Sequence, residues 1–376
     1  MTIDEARTAH VLTKHEASIV LLLRPGLELT ITEISEALGV SRPTAANALS
    51  DLTDAGWVAS LDAQSNDVAL GRPARRYRFR REAGLVAGVD VGLHSLRVVL
   101  VDLNEKVVGS LKLPHPPGLG AAEQIDVIVD VIRRASSAAT VSAPILAIGL
   151  GLPGVVDSMG RLTICSPRSE WEGIPFAHRL AQRFDCPVFG ENDAMAAAKG
   201  ENRFGTGRGA SSFVYVLAGH RTSSATVLEG RLLRGFTGAA GMVGELPYLR
   251  WASAPSALSD SGGSSPDPLE TFSRAAAGDR RAVIAVERYL DDLSVGLAAM
   301  CLAIDPELVI LGGGITPAGQ EVADSLREKV RKQAHLVGPR IEMSTLGENA
   351  TVMGAACIAF EHAESQVLGL SGRTHD

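Results

Sequence analysis

The sequence predicts an α/β protein in two parts, a winged helix-turn-helix over residues 1–84 and a two-lobed α/β domain over residues 85–376. Two observations predict this fold class. Capped helices and a hairpin-like pair of strands come first, and a succession of strands and helices that occurs twice follows them. A chain of 376 residues is long enough for about two or three domains with large cores.

Composition narrows the class of protein. Hydrophobic residues make up 45% of the chain and aromatic residues only 4%, and the net charge is −7. A nucleic-acid-binding surface therefore has to be local. The absence of a signal peptide and of an apolar run of bilayer length predicts a cytoplasmic protein with no membrane partner. The cysteines show no CxxC spacing and are expected to be buried and reduced: Cys165, Cys186, Cys301 and Cys357.

A helix-turn-helix is predicted between Thr30 and Asp54. Thr30 or Thr32 can cap its first helix, and Gly39 ends it. Ser41 can cap the second helix, whose outer N-terminal residues would meet base edges in a major groove. The DNA-binding candidates on this helix are Ser41, Arg42, Pro43, Thr44 and Asn47.

The strands that follow the helices predict a wing. Residues 57–61 and 77–79 flank a polar turn, which is hairpin patterning. Arg72, held between a glycine and a proline, is suited to insertion into a minor groove, and Arg75 and Arg76 would neutralise phosphates. A solvated charged strand and a helix-turn-helix that contacts protein are the alternatives. The stretch 71–81 holds no acid and six arginines: Arg72, Arg75, Arg76, Arg78, Arg80 and Arg81.

The second part of the chain repeats one order of elements. Apolar strands at 85–91 and 95–102 begin a meander, and a helix over 121–138 leads to another strand. A second meander begins near 212, and a long helix over 279–303 leads to a strand that ends in three glycines. This internal similarity predicts two related lobes, and a cleft between α/β lobes is a common ligand site.

Polar residues follow one strand of this domain at Gly190-Glu191-Asn192-Asp193. Open α/β sheets bind ligands at the C-terminal ends of their strands. An amide and a carboxylate side by side suit neighbouring sugar hydroxyls. Asn192 or Asp193 would alternatively serve as the cap of the Ala-rich helix that comes next.

Five motifs occur along the chain in a fixed order. They are Gly88-Val89-Asp90-Val91-Gly92, Gly151-Leu152-Pro153-Gly154-Val155-Val156-Asp157, Glu191-Asn192-Asp193-Ala194, Gly238-Ala239-Ala240-Gly241-Met242-Val243-Gly244-Glu245 and Leu311-Gly312-Gly313-Gly314. Together they resemble the motifs of the ROK family (repressors, open reading frames and sugar kinases), in its transcriptional-repressor branch. The resemblance covers nearly the whole chain.

The resemblance implies an actin/hexokinase-like fold that holds a sugar-class effector between its lobes. It also implies a homodimer or homotetramer that reads a palindromic double-stranded DNA operator. Trp171 would stack on a sugar or pack the lobe, and Asp157 and Glu170 are plausible neighbours of the effector. The effector-binding candidates are Gly154, Arg168, Asn192, Asp193 and Glu245.

The phosphate-binding loops of the family's kinases are altered in this sequence. Leu93 and His94 stand where the kinases have a glycine and a threonine, and their bulk disfavours close approach of phosphates to the backbone. The second loop, 218–224, keeps one glycine. His220 and Arg221 in that loop would attract an anion or be solvated. We therefore expect no enzymatic activity and no cofactor.

The family's sugar- and zinc-binding motif is altered as well. Met242 replaces its acid and Glu245 its histidine, so Met242 cannot accept hydroxyl hydrogen bonds, whereas Glu245 either binds a polyol or is a charged loop residue. Residues 246–275 contain no cysteine or histidine, and we predict no zinc.

Three functions therefore stand for comparison. The first is a DNA-binding transcriptional regulator of carbohydrate-related genes that senses a sugar, and we expect it to be a repressor. The second is a sugar kinase with Asp193 as general base. The third is a DNA-binding regulator without an effector.

Overall fold

The computed structural model describes residues 12–61, 74–116, 118–166, 168–259, 268–334 and 338–366. Arg72, predicted for the minor groove, lies outside the described residues. None of the described helices is both long and apolar enough to cross a membrane.

The N-terminal part begins with three helices, each started by a hydroxyl side chain. The Thr30 hydroxyl accepts the N–H of Glu33, and the Ser41 hydroxyl accepts the N–H of Thr44 at 3.2 Å. Gly39 ends the second helix with a φ of 64°, a left-handed conformation that favours glycine. These are the caps that the sequence predicts. The helices are α1 (Lys14–Leu23), α2 (Ile31–Leu38) and α3 (Arg42–Asp54).

A three-stranded antiparallel sheet completes this part. The predicted wing strands pair with each other, and a short strand before α2, which the sequence does not predict, joins their outer edge. Leu49 and Trp57 are fully buried in the core beneath, which also includes Leu103 from the next part of the chain. The strands are β1 (Leu29–Thr30), β2 (Val58–Leu61) and β3 (Arg76–Phe79), in the order β1-β3-β2.

The first lobe is built on a five-stranded mixed sheet. Its first three strands form the predicted meander, and the two that follow pair in parallel. The strand order is β10-β7-β4-β5-β6, and β8 and β9 form a separate hairpin. The elements are β4 (Leu85–Val91), β5 (Ser95–Asp102), β6 (Val107–Pro114), α4 (Ala121–Ala138), β7 (Ile145–Leu152), β8 (Val155–Val156), β9 (Leu162–Ile164), α5 (Phe176–Phe184) and β10 (Val188–Asn192).

The second lobe repeats this topology. Its sheet has the order β13-β12-β11-β14-β15, again with one antiparallel meander and two parallel strands. The predicted internal repeat is thus present as two similar sheets. The elements are α6 (Asp193–Phe204), β11 (Phe213–Ala218), β12 (Thr222–Leu228), β13 (Arg231–Leu232), α7 (Ala254–Ser259), α8 (Pro268–Ala276), α9 (Arg280–Ile304), β14 (Leu308–Gly313), α10 (Gln320–Ala334) and β15 (Arg340–Met343).

Two helices lie between the sheets and pack on each other. Helix α6 packs on the second sheet through its alanines. The last helix, α11 (Ala350–Gln366), returns to the first lobe and packs on β4 and β7. Both helices start at the cleft between the lobes. The four cysteines are buried and free, as predicted.

Candidate functional site

A cavity of about 310 Å³ lies between the two lobes, at the ends of β4, β10, β11 and β14. Both lobes contribute to its lining, as the predicted cleft requires. The polar side chains that line it are Asp90, His94, Ser95, Arg97, Lys112, Asn192, Asp193, His220, Arg221, Ser223, Glu348 and Thr351.

Asn192 and Asp193 lie at the wall of this cavity, where β10 passes into α6. The Asn192 side-chain oxygen accepts the N–H of Met195 at 3.0 Å, so Asn192 is also the helix cap. Its amide group donates to the carbonyl of Gly154 at 2.8 Å and to Asp193 Oδ1 at 3.0 Å. Asn192 thereby fixes the orientation of the Asp193 carboxylate, and both sequence interpretations of this pair describe part of its geometry.

The Asp193 carboxylate has one oxygen to offer a ligand. Oδ1 accepts the N–H of Ala194 at 2.8 Å as well as the Asn192 amide, whereas Oδ2 accepts no hydrogen bond from any described residue. Burial raises the pKa of Asp193 to about 6, and the positive charge of Arg221 opposes the rise. Near neutral pH this oxygen is an acceptor for a hydroxyl.

A chain of charged side chains also lines this cavity. Arg97 reaches Asp90 at 3.4 Å and Glu348 at 2.7 Å, and Lys112 reaches the same Glu348 carboxylate at 2.8 Å. Burial raises the pKa of Asp90 to about 7 against the effect of Arg97, and the Lys112 hydrogen bond lowers the pKa of Glu348. These residues are not among the sequence-predicted site residues, although an arginine inside the apolar strand β5 indicates a polar environment at that position.

Histidines from the two altered phosphate loops meet across the cleft. The rings of His94 and His220 lie with centroids 4.4 Å apart. Leu93 also lines the cavity, and the N–H of Gly219 donates to the carbonyl of Arg221 within its own turn. The two loops therefore present side chains where phosphates would need open backbone. His220 and Arg221 line the cavity and are partly exposed, so attraction of an anion and contact with solvent both stay predictions for this turn.

Glu245 lies in a second, adjoining cavity of about 250 Å³, which shares Arg221, Ser223 and Met242 with the first. Its half-exposed carboxylate accepts the Ser166 hydroxyl at 3.2 Å and lies 3.9 Å from Arg221. Glu245 is thus a neighbour of the main cavity and not part of its wall.

Three residues near the β8–β9 hairpin do not reach either of these two cavities. The Arg168 guanidinium lies over the ring of Trp171 and 3.3 Å from Glu170, which corrects its expected place beside the effector. Trp171 is buried against Phe176 and packs the lobe. Asp157 accepts the N–H groups and guanidinium of its own turn.

A second surface of interest is the start of α3. Arg42, Pro43 and Asn47 are exposed, and Thr44 is half-buried. The Ser41 hydroxyl contacts Thr44 Oγ1 at 2.7 Å besides capping the helix. The first two turns of α3 therefore present cationic and amide groups outward, as a recognition helix does.

The basic edge of the wing is narrower than the sequence indicates. Arg76 donates to the Glu28 carbonyl and lies 3.5 Å from Glu33. Arg78 and Arg80 face Glu82, and Arg81 faces Asp102 at 3.6 Å. Arg75 is exposed, with no ion pair to a described carboxylate. Glu82, next to this stretch, and the more distant Glu33 and Asp102 pair with the other described arginines, which leaves Arg75 as the exposed arginine of this edge without an ion pair in the described part.

No group of three or more His, Cys, Asp or Glu side chains in the described residues could hold a metal ion. The cluster of thiolates and imidazoles that a structural zinc requires is therefore not formed there.

Comparisons with known proteins agree with the geometry. The sequence model of the ROK family matches residues 86–252 and 253–362, and that of the MarR family matches residues 12–65. A xylose repressor of Caldicellulosiruptor bescii is 24% identical over 93% of this chain and 96% of its own length. A glucokinase of Thermotoga maritima is 30% identical over 73% of this chain and 96% of its own.

Among solved structures, a ROK family transcriptional regulator, a homologue of the E. coli MLC protein, superposes with a TM-score of 0.67. It is 19% identical and covers 94% of this chain and 96% of its own. The likeness extends across the N-terminal helices and both lobes, whereas the glucokinase match leaves about a quarter of this chain uncovered.

Proposed function

The chain belongs to the ROK family, and we propose that it is a sequence-specific DNA-binding repressor controlled by a sugar-class molecule bound between its lobes. Relatives that match nearly the full chain are xylose repressors. The N-terminal helices add to the lobes a surface that a sugar kinase does not require.

One observation carries this proposal. The cleft keeps a carboxylate that suits a hydroxyl, but bulky side chains occupy the loops that would bind phosphates in a kinase. Asp193 holds one free oxygen toward the cavity, and Asn192 fixes it. The turns that would surround a nucleotide's phosphates hold Leu93, His94 and His220 instead. The cleft can thus bind a polyol without being arranged to phosphorylate it.

We assign the effector contacts accordingly. Asp193 accepts a hydroxyl, and Asn192 and Gly154 hold that carboxylate in place as the wall of the site. Glu245, in the adjoining cavity, contacts only an effector long enough to pass Met242. Binding changes the protein's state only through unequal affinity for its two forms, and the operator-bound form is the one with lower sugar affinity.

The DNA contacts follow from the exposed first two turns of α3. Arg42 and Asn47 read base edges, and Ser41, Pro43 and Thr44 lie close to the backbone of the same groove. Arg72, Arg75 and Arg76 bind phosphates or the neighbouring minor groove. As a homodimer or homotetramer, the protein reads a palindrome whose half-sites lie about 10 base pairs, or a multiple of this spacing, apart.

The test is fluorescence anisotropy with an operator selected from random sequence by the wild-type protein. Asn47→Ala should weaken specific binding by about 1–3 kcal/mol, the value of one good base contact, and leave non-specific binding unchanged. Gln182→Ala, which removes an exposed amide on α5, is the matched control. Equal weakening by both variants, or no selected operator at all, refutes the proposal.

The kinase alternative rests on Asp193 as a general base, and the glucokinase relatives support it. We propose that the protein is not an enzyme, because phosphoryl transfer depends on positioned phosphates. Sugar-dependent ATP hydrolysis that is lost in Asp193→Ala would overturn this. Failure of every sugar and sugar phosphate in a panel to shift the melting temperature would favour a regulator without an effector.

A further inference from the structure

Two helices begin in the cavity and end together at the DNA-binding part. Helix α6 starts at Asp193, and α11 presents Thr351 in its first turn, where the Thr351 hydroxyl donates to the carbonyl of Asp193 at 3.3 Å. At 1.5 Å per residue, the 12 residues of α6 span about 18 Å and the 17 residues of α11 span about 25 Å from the cavity to the far end of each helix.

These helices pack backbone to backbone. A Cβ atom at Gly354 of α11 would lie 1.6 Å from the carbonyl oxygen of Ala196, and one at Gly200 of α6 would lie 2.6 Å from the carbonyl oxygen of Ala350. Such close contact leaves little room for one helix to slide on the other. We infer that the pair moves as one body.

At their far end, the helices hold an arginine of the DNA-binding part. The Phe360 ring of α11 lies 5.0 Å from the guanidinium of Arg24, which ends α1, and 5.9 Å from that of Arg203 at the end of α6. Arg24 forms an ion pair with Glu364, and Arg203 forms one with Glu105. Each guanidinium is therefore paired with its own carboxylate, and both guanidinium groups lie against the same Phe360 ring.

The Arg24 contact is well shielded from water. Its side chain and that of Glu364 are each only 12% exposed, and the carbonyl of Arg24 accepts the amide of Asn104 at 2.9 Å. Separating a buried ion pair leaves an uncompensated charge in a poorly hydrated place. The pairing therefore favours one orientation of the DNA-binding part on the first lobe.

We propose that Arg24 is the positioning residue of the DNA-binding domain, and that α6 and α11 connect it to the effector cavity. Through Glu364 and Phe360, Arg24 sets the orientation in which α3 meets DNA. The proposal rests on the proposed function, since it supplies the route by which the cavity regulates operator binding.

The orientation is measured directly by double electron–electron resonance between spin labels at Ser50→Cys on α3 and Ser137→Cys on α4. Both serines are exposed, and the native cysteines are buried, so labelling is selective. Arg24→Met, which keeps an aliphatic stem over Phe360 but removes the charge, should broaden the distance distribution. Glu364→Gln, a milder variant that keeps its shape, should broaden it less.

The matched control is Lys199→Met. Lys199 pairs with Glu361 at 2.6 Å and links the same two helices, but neither residue forms an ion pair with Arg24. This variant should keep the wild-type distance distribution. A wild-type distribution in both Arg24→Met and Glu364→Gln, or equal broadening in Lys199→Met, would overturn the proposal.

A second measurement tests the consequence for DNA. On a selected operator, Arg24→Met should lose about tenfold in the ratio of specific to non-specific affinity, because misplaced base contacts fail while phosphate contacts persist. An unchanged ratio overturns the positioning role. If the wild-type protein selects no operator, the proposed function fails, and the spin-label distances still decide whether Arg24 fixes the orientation.

Discussion

The two lobes share one strand order but present different chemistry to the cavity between them. The first lobe contributes the carboxyl groups of Asp90 and Asp193 at its strand ends. The second contributes the glycine-rich end of β14 and the cationic turn with His220 and Arg221. Topology thus decides where a ligand lies, and the side chains at the strand ends decide which ligand it is.

The lobes differ as well in what the glycines of their strands pack against. In the first lobe, a Cβ added at Gly88 would lie 2.2 Å from the carbonyl oxygen of Val352, and one at Gly149 would lie 1.9 Å from that of Ala355. In the second, a Cβ at Gly312 would meet a side chain, the Tyr215 hydroxyl at 2.1 Å. Backbone cannot move aside as a side chain can, so the first lobe and α11 should be the stiffer unit.

The largest expected effect tests this difference. Gly149→Ala places a methyl group against the backbone of α11 and should destabilise the fold by about 3 kcal/mol or more, the upper end for overpacking. Gly312→Ala should cost less, because the Tyr215 side chain can shift. Urea unfolding of both variants measures the difference. Equal stability of the two variants would remove the proposed contrast between the lobes.

The stability contributed by two carboxyl groups of the first lobe, those of Asp90 and Asp157, should depend on pH with opposite signs. The pKa of Asp90 is about 7 in the folded protein, whereas an unperturbed aspartate has a pKa of 3.8, so the folded state binds more protons between these values. The free energy of unfolding should therefore fall as pH rises from about 4 to 7. Asp90→Asn should make the free energy of unfolding depend less on pH over this range, by about 1.4 kcal/mol for each unit by which folding shifts the pKa of Asp90.

The measurement is the melting temperature from pH 4 to 8 for the wild type and for Asp90→Asn. Asp157→Asn serves as control, because the Asp157 pKa is lowered, largely by hydrogen bonds within its turn that outweigh its desolvation. Stability from that group is present above its unfolded pKa and lost as pH falls, the opposite sign. Parallel curves for the wild type and Asp90→Asn would show that Asp90 ionises normally.

Much of this architecture is local in origin, which is why the sequence predicts it. The caps Thr30 and Ser41, the meander strands and the helix over 121–138 depend on neighbouring residues and on periodicity. The repeated order of elements predicts the two lobes, and the ROK family motifs place Asn192 and Asp193 at the cleft.

The remainder depends on contacts between distant segments. Glu348 and Thr351 reach the cavity because α11 returns to the first lobe, and no local sequence pattern predicts that α11 packs there. Asp102, from the next strand pair, forms an ion pair with Arg81 of the wing. These are tertiary contacts that spacing along the chain does not encode, whereas the contacts of Arg168 with Glu170 and Trp171, and of Arg78 with Glu82, are local.

The smallest expected effect concerns the ion pairs on the cavity wall. Lys112 is 56% exposed, so Lys112→Met should change the free energy of unfolding by about 0–1 kcal/mol. Arg97 is only 15% exposed and serves both Asp90 and Glu348, so Arg97→Met leaves shielded carboxylates unpaired and should cost more. Chemical unfolding at pH 8, where Asp90 is ionised, measures the free energies of unfolding of the two variants.

Because the pKa of Asp90 is about 7, the cost of Arg97→Met should shrink at pH 5, where Asp90 is neutral, whereas the effect of Lys112→Met should hardly change. A cost of Arg97→Met that is the same at both pH values would mean that Arg97 stabilises the wall by packing and not by charge.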